Sequence, residues 1–364
     1  MTTIQFVLSL GFTMIVVIML QQYRYSVNYD FGFQRENIVD VELQEVNQER
    51  FRAEFGKLSS VQRISMSSHV PGLESMGSRY VMQANQTDSV KTSALSIDEN
   101  FISNIELSFL AGTDFSDQAS ENIHFIIVNE EFVKDLGFAD PATAISNSVS
   151  FADGREVTIR GVVKNFHYGA LRNPIGSFFF EYDPAKFRYA NVKVTPDSFL
   201  NMSEMETMWK NIGGIDKFKA QFLADEIKEA YTFYFEMVKL YGFLGLIAIT
   251  VTCLGLLGTV VFTLRNRLKE ISIRKVMGAS ADSLVILLSK DFFYLMLIAS
   301  LIAIPAVYFL FDYLLLSIQY YSIQIGIVEI SISLLIIGLL GFSTILSQTR
   351  KAANANPVDN LRME

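Results

Sequence analysis

Hydrophobic positions along the chain follow two regimes. In Ile4–Leu20, Leu240–Leu264, Phe292–Phe311 and Ile330–Leu346 they run on with no Asp, Glu, Lys, Arg or His. The shortest of these covers about 26 Å as a helix, just enough to cross a bilayer's hydrocarbon core. In lipid only a helix satisfies every backbone amide at such a composition, so the pattern predicts four membrane spans. Gly242, Gly245, Gly255, Gly258, Gly338 and Gly341 recur at three-residue spacing, which suits close helix approach, and Pro305 is expected to kink the third span. No small-x-small cleavage site follows Leu20, so the first span reads as an uncleaved anchor.

Between the first two spans the period changes. Ile38–Leu43 alternates like a strand, Gln48–Leu58 puts Phe51, Phe55 and Leu58 on one helical face, and Val61–Ser67 returns to alternation. Tyr189–Thr195 and Ser198–Ile212, with Phe199, Met202, Met205 and Trp209 along one side, repeat the strand and helix. The two ends therefore predict one subdomain over about 36–100 and 165–224. Phe125–Asn129 reads as a buried strand, Glu130–Leu136 as a short helix, and Ser148–Phe151 as a hairpin partner of Val157–Lys164, giving an inserted strand-rich subdomain over about 101–164. The segment Asp225–Lys239 has helical spacing and no Gly, Pro or Ser, so it predicts a stalk continuous with the second span, carrying Glu226, Glu229, Tyr231, Tyr234, Met237 and Val238. The expected fold class is an all-α four-helix transmembrane domain with an α+β extracytoplasmic domain inserted between the first and second spans.

Charge sets the orientation. Arg265, Arg267, Lys269, Arg274, Lys275 and Lys290 cluster between spans two and three, and Arg350, Lys351 and Arg362 follow span four. The linker Asp312–Glu329 has no Lys or Arg and carries Tyr313, Tyr320 and Tyr321. The positive-inside bias puts the basic loop and the tail in the cytoplasm and the aromatic linker at the outer interface. The expected layout is span one and the start of the stalk (1–23), an extracytoplasmic domain (24–224), stalk and span two (225–264), and a cytoplasmic loop (265–291). Span three (292–311), an outer linker (312–329), span four (330–346) and a cytoplasmic tail (347–364) complete it.

Composition agrees with a membrane protein that keeps a large soluble part: 50% of the 364 residues are hydrophobic and 19% charged. A net charge of −8 argues against nucleic acid as a partner. The one cysteine, Cys253, lies within a span, and His69, His124 and His167 are dispersed without ligand spacing, so no metal or redox site is expected. No Ser/His/Asp order, carboxylate pair or GxxxxGK[ST] loop stands out, and the carboxylates of the outer segment read as scattered over a solvated surface. A membrane-tethered enzyme within residues 24–239 is the least supported of three readings. The span centres carry no ionisable group, the mark of an ion or proton route.

The segment RNRLKEISIRKVMGAS, Arg265–Ser280, resembles the cytoplasmic loop of MacB/FtsX-type permeases, a basic lead-in followed by E-I-x-I-R-K-x-x-G-A. Glu270, Ile271, Ile273, Arg274, Lys275, Gly278 and Ala279 match in place. IIVNEEFVKDLGF, GVVKNFHYGALRNPI and the ending AANANPVDNLRME are similar to further phrases of the family. The resemblance implies a permease with a MacB periplasmic core-like outer domain, in a bacterial cytoplasmic (inner) membrane, paired with a separate cytoplasmic ABC ATPase. It implies no cofactor and no enzymatic site in this chain, with ATP and Mg on the ATPase. Arg267, Lys269 and the seven matched residues would dock on that subunit through a short helix, for which Glu270, Arg274 and Lys275 supply a charged face, Ile271 and Ile273 apolar contacts, and Gly278 a stop. The implied mechanism is mechanotransmission, serving export or extraction of a hydrophobic compound, peptide or lipoprotein. Alternatively, as in FtsX-like regulators, it controls an extracytoplasmic hydrolase or sensor. The opening residues resemble the second half of two-repeat, eight-span permeases, so a half-length or truncated chain is expected, working as a homodimer or with another permease half. Membrane lipid and a periplasmic adaptor or substrate protein are the remaining expected contacts.

Overall fold

The computed structural model describes residues 2–73, 76–83, 89–116, 119–196, 201–213, 217–266 and 281–353. In chain order its elements are α1 (Thr2–Val27), β1 (Ile38–Glu42), α2 (Gln48–Phe55), β2 (Val61–Ser67), β3 (Ser78–Gln83), β4 (Ser89–Ser96), α3 (Phe101–Asn104) and β5 (Phe109–Gly112). Then come α4 (Ala119–Asn122), β6 (Phe125–Asn129), α5 (Glu130–Asp135), α6 (Pro141–Ala144), β7 (Ser148–Phe151), β8 (Glu156–Val163), β9 (Phe178–Glu181) and β10 (Tyr189–Val194). The last are α7 (Asn201–Asn211), β11 (Ala220–Phe222), α8 (Leu223–Ala230), α9 (Thr232–Asn266), α10 (Ala281–Ile318) and α11 (Ile327–Ala353). They form two units, Val27–Ala230 and Met1–Ser26 with Tyr231–Glu364.

In the first unit, strands from both ends of the segment share an antiparallel sheet of order β11-β1-β10-β2. Strand alternation turns Val39, Val41, Val192 and Ala190 to one face, where Phe51 and Phe55 of α2 and Met205 and Trp209 of α7 complete a buried core. The α2 rings stack at 3.9 Å, and Asn47 caps the helix by accepting from the Arg50 amide.

The second sheet has the order β5-β8-β6-β9-β4-β3-β7, and β7 pairs in turn with β8, which closes a ring of six strands. Closure is geometric: one edge of β8 gives residues 156–158 to β7 and 161–163 to β5, while its other edge pairs with β6. A register shift between Ile126 and Ile127 skips Arg160 and leaves Gly161 opposite Ile127. Only glycine fits there, because a Cβ at position 161 would stand 2.7 Å from the Thr113 carbonyl oxygen. Val81, Ile126, Val128, Phe151, Ile159 and Phe179 form this sheet's core with Phe132 and Leu136. The sheet is wider than residues 101–164, since it also takes β3, β4 and β9. β3 and β4 are rich in Ser, Thr, Arg, Lys and Gln, so their pairing rather than any apolar alternation defines them.

In the other unit, Thr3–Val27, Thr232–Thr263, Phe292–Phe311 and Ile327–Ser347 are long and apolar enough to cross a membrane, and each overlaps an expected span. The chain is a multi-pass membrane protein. α1 is the most enclosed of them: Phe6, Leu10, Met14, Ile18, Gln22 and Ser26, four residues apart, are all buried along one stripe. α10 continues through Pro305. The expected unbroken stalk is not observed, because a turn at Tyr231 separates α8 from α9 and the Tyr234 amide bonds the Tyr231 carbonyl at 3.1 Å. No helix breaker is needed for this. Tyr231 is buried, and the aromatic, β-branched run Tyr-Thr-Phe-Tyr-Phe holds a continuous helix only weakly.

Candidate functional site

The nine expected coupling residues, Arg267, Lys269, Glu270, Ile271, Ile273, Arg274, Lys275, Gly278 and Ala279, lie outside the described residues. The stalk positions are described, and they divide between α8, the turn and α9.

Glu226 and Glu229 of α8 line a groove of about 760 Å³ with Asp40, Glu42, Tyr189 and Gln221. The groove runs beside an unusual rung of the four-stranded sheet. Strand register sets Gln221, Asp40, Asn191 and Ser65 side by side across all four strands, so a core sheet carries one polar row. Each member has a reason to stay in line. Gln221 Nε2 donates to Glu229 Oε2 on α8 at 2.9 Å, and Asn191 Nδ2 donates to Asp40 Oδ1 at 2.5 Å. Asn104, on α3, donates to Ser65 Oγ and to the Asn191 carbonyl, both at 2.8 Å. Burial pushes the Asp40 carboxyl up to about 7, against the bond from Asn191. Its Oδ2 has no hydrogen-bond partner among the described residues. The outer carboxylates are thus not all surface groups as the sequence suggested: Asp40, Asp98 and Glu181 are buried. His167 is also buried, edge-on to Tyr29 at 4.9 Å, and desolvation lowers it to about 4 against the pull of Asp30.

Tyr234 of α9 enters a second polar network, inside the membrane-helix unit. Its hydroxyl donates to Gln319 Oε1 in the connector between α10 and α11. Gln319 Nε2 then donates to Ser26 Oγ at 3.1 Å and to the Tyr321 carbonyl at 2.7 Å. Gln22 Nε2 donates to the same Ser26 oxygen at 3.2 Å, and Gln22 Oε1 accepts from the Ile323 amide at 2.9 Å. Gln22, Ser26, Gln319 and Tyr234 are all buried, and the clamp ties α1 and α9 to that connector by direct hydrogen bonds. Met237 and Val238, one turn on, are half-buried.

Along the helices, α1 runs antiparallel to α9. Ser9 and Thr252 hydroxyls bond at 2.7 Å, and a Cβ on Gly245 would meet Phe12 at 3.4 Å. Gly255 abuts Gln5, where a Cβ would stand 2.4 Å from Oε1, and a Cβ on Gly341 of α11 would fall 2.2 Å from the Phe292 ring. These three glycines are contact points, Gly338 only touches Met296, and Gly242 and Gly258 face open space. Phe243, Leu246 and Leu254 of α9, Leu301 and Phe309 of α10, and Leu335 of α11 are exposed, as side chains facing lipid would be.

Residues 242–357 match the family model of the FtsX-like permease C-terminal domain. This part of the chain is similar to the C-terminal domain of FtsX-like permeases. The matched region spans most of α9, the whole of α10 and α11, and the loop with all nine expected coupling residues. Among solved structures, the periplasmic region of MacB from Actinobacillus actinomycetemcomitans is similar at 14% identity and a TM-score of 0.42, covering 56% of this chain and 96% of that one. The extracellular domain of the noncanonic ABC-type transporter YknZ from Gram-positive bacteria is similar at 12% identity and a TM-score of 0.37, covering 50% and 100%. No curated protein matches the chain.

Proposed function

We propose that this chain is the permease subunit of an ABC transporter of the MacB/FtsX type, without enzymatic activity of its own. The observation that carries the reading is the FtsX-like match over residues 242–357, which brackets the basic segment Arg265–Lys275 between two spans. With that segment in the cytoplasm, residues 24–224 lie outside a bacterial inner membrane and the tail lies inside. Arg267, Lys269, Glu270, Ile271, Ile273, Arg274, Lys275, Gly278 and Ala279 dock on a separate ATPase that holds ATP and Mg. The ATPase pulls α9 and α10 through their cytoplasmic ends. The Tyr234–Gln319–Ser26–Gln22 clamp makes their outer ends move with α1, so the stroke reaches both chain segments that enter the outer domain. The groove beside α8, with Glu226 and Glu229, is where the stroke arrives.

The transported cargo is a hydrophobic compound, peptide or lipoprotein, and the working unit pairs two copies or two halves of a permease in lipid. Purification from native membranes tests this. The full chain should bring down an ATPase with a phosphate-binding P-loop, and Arg274→Glu with Lys275→Glu should abolish its recovery. Unchanged recovery would refute the docking segment. If the chain instead holds an outer hydrolase or sensor, and its loss leaves cell sensitivity to exported compounds unaltered, the regulator reading replaces the exporter.

A further inference from the structure

A cavity whose lining is mainly cationic among its charged residues lies at the seam of the outer unit's two sheets. It measures about 400 Å³ and opens between the end of β2, strands β3, β4 and β9, and the turn before β10. Three of its lining residues are cationic, Arg79, Lys186 and Arg188, and one is anionic, Glu181. Glu181 is almost fully buried and saturated. Its Oε2 accepts from Arg79 Nη1 at 2.9 Å and Arg155 Nη2 at 3.1 Å, and its Oε1 from Lys186 Nζ at 2.7 Å and Ser96 Oγ at 3.1 Å.

One carboxylate cannot neutralise that many cations. Lys186 also reaches Asp183 at 2.8 Å, which still leaves a surplus of positive charge around the cavity. Arg188 has no ion-pair partner among the described residues. The arrangement is rigid rather than accidental. Arg79 and Arg155 lie over the Phe151 ring at 5.7 and 4.7 Å, so each guanidinium is fixed by an aromatic ring and by Glu181, with most of its N–H donors unspent. Ser68 and Ser78 add hydroxyls to the wall. Glu181 thus holds cations in place without using up their capacity for a second anion, which is how planar guanidinium groups bind phosphate.

We propose that this cavity binds a phosphate group, carried by a free phosphate or by a lipid headgroup, through Arg79, Lys186 and Arg188. Such a ligand spans the seam, since Arg79 stands on the six-strand ring and Arg188 immediately precedes β10 of the four-stranded sheet, so binding draws the two sheets together. The site is independent of the permease reading.

The test is isothermal titration of the full-length protein in phosphate-free maltoside detergent, at constant ionic strength in chloride, with inorganic phosphate and separately with sn-glycerol 3-phosphate. Saturable binding of at least one is expected. Arg188→Glu, at an exposed position that leaves the Glu181 cluster whole, should weaken it by about tenfold or more. Lys210→Glu on the exposed face of α7 should leave it unchanged. Tighter binding of the glycerol ester would mark a headgroup site and tighter binding of phosphate a free-anion site, and either supports the cavity. Absence of saturable binding for both, or an affinity indifferent to Arg188→Glu, overturns it.

Discussion

The Tyr234 hydroxyl donates to the side-chain oxygen of Gln319, a residue 85 positions further along the chain. Both groups are buried beside apolar helices, where a missing partner is costly. Tyr234→Phe removes the donor alone and leaves the Gln319 oxygen without it. The expected loss is about 1 kcal/mol, read as a lower thermal midpoint of the detergent-solubilised protein. Gln319→Leu in the same background should then cost less than it does in the wild type, because the two share one network. Additive losses would show that the clamp does not act as a unit.

Close helix approach gives a sharper contrast. Gly341→Ala puts a methyl into the Phe292 ring and Gly255→Ala puts one against Gln5, whereas Gly258→Ala meets nothing. The first two should destabilise by roughly 1–3 kcal/mol in denaturant titrations and the third should be neutral. Equal effects at all three would mean that the α1, α9 and α11 contacts are looser than described.

Asp40 gives the outer unit a pH dependence of definite sign. Its carboxyl rises from 3.8 to about 7 on folding, so between these values the folded state holds a proton that the unfolded chain has released. Stability from this group is therefore full below about pH 4 and is lost as pH rises through about 7. Asp40→Asn keeps the shape and removes the titration. The difference in unfolding free energy between variant and wild type should grow in favour of Asn from pH 5 to pH 8, and a difference independent of pH would place the ionised group in a better solvated site.

The coupling of this rung to α8 is separable from its titration. Gln221→Ala deletes the bond to Glu229 at an edge strand, which should cost little global stability, about 0.5–1.5 kcal/mol. Amide hydrogen exchange in α8 should nevertheless quicken in this variant while α2 stays protected. Uniform protection would show that α8 is held by Leu223 and Ile227 alone.

The sequence made the apolar spans legible because lipid tolerates no charge, and 240–264 or 330–346 could be read by eye. β1, α2 and β10 were equally plain, since each carries its own period. What it hid was non-local. Ser26 and Gln319 are 293 residues apart, and a glutamine beside a span looks like any interfacial polar residue. The cations around Glu181 come from positions 79, 155 and 186, so no window sees them together. The polar rung had one faint signal, Asp40 and Asn191 at alternation positions inside otherwise apolar strands, but only register makes a row of them. The turn at Tyr231 was missed because a helix was expected to end at Gly or Pro, whereas this one turns at a buried tyrosine within an aromatic, β-branched run.

Sidedness underlies the whole account and can be measured directly. In a Cys253→Ala background, Lys269→Cys sits in the basic segment and Asp153→Cys at the exposed β7–β8 turn. A membrane-impermeant maleimide added to intact cells should label the Asp153→Cys protein at once and the Lys269→Cys protein only after permeabilisation. Labelling of Lys269→Cys in intact cells would put the basic segment on the side away from ATP and contradict the account.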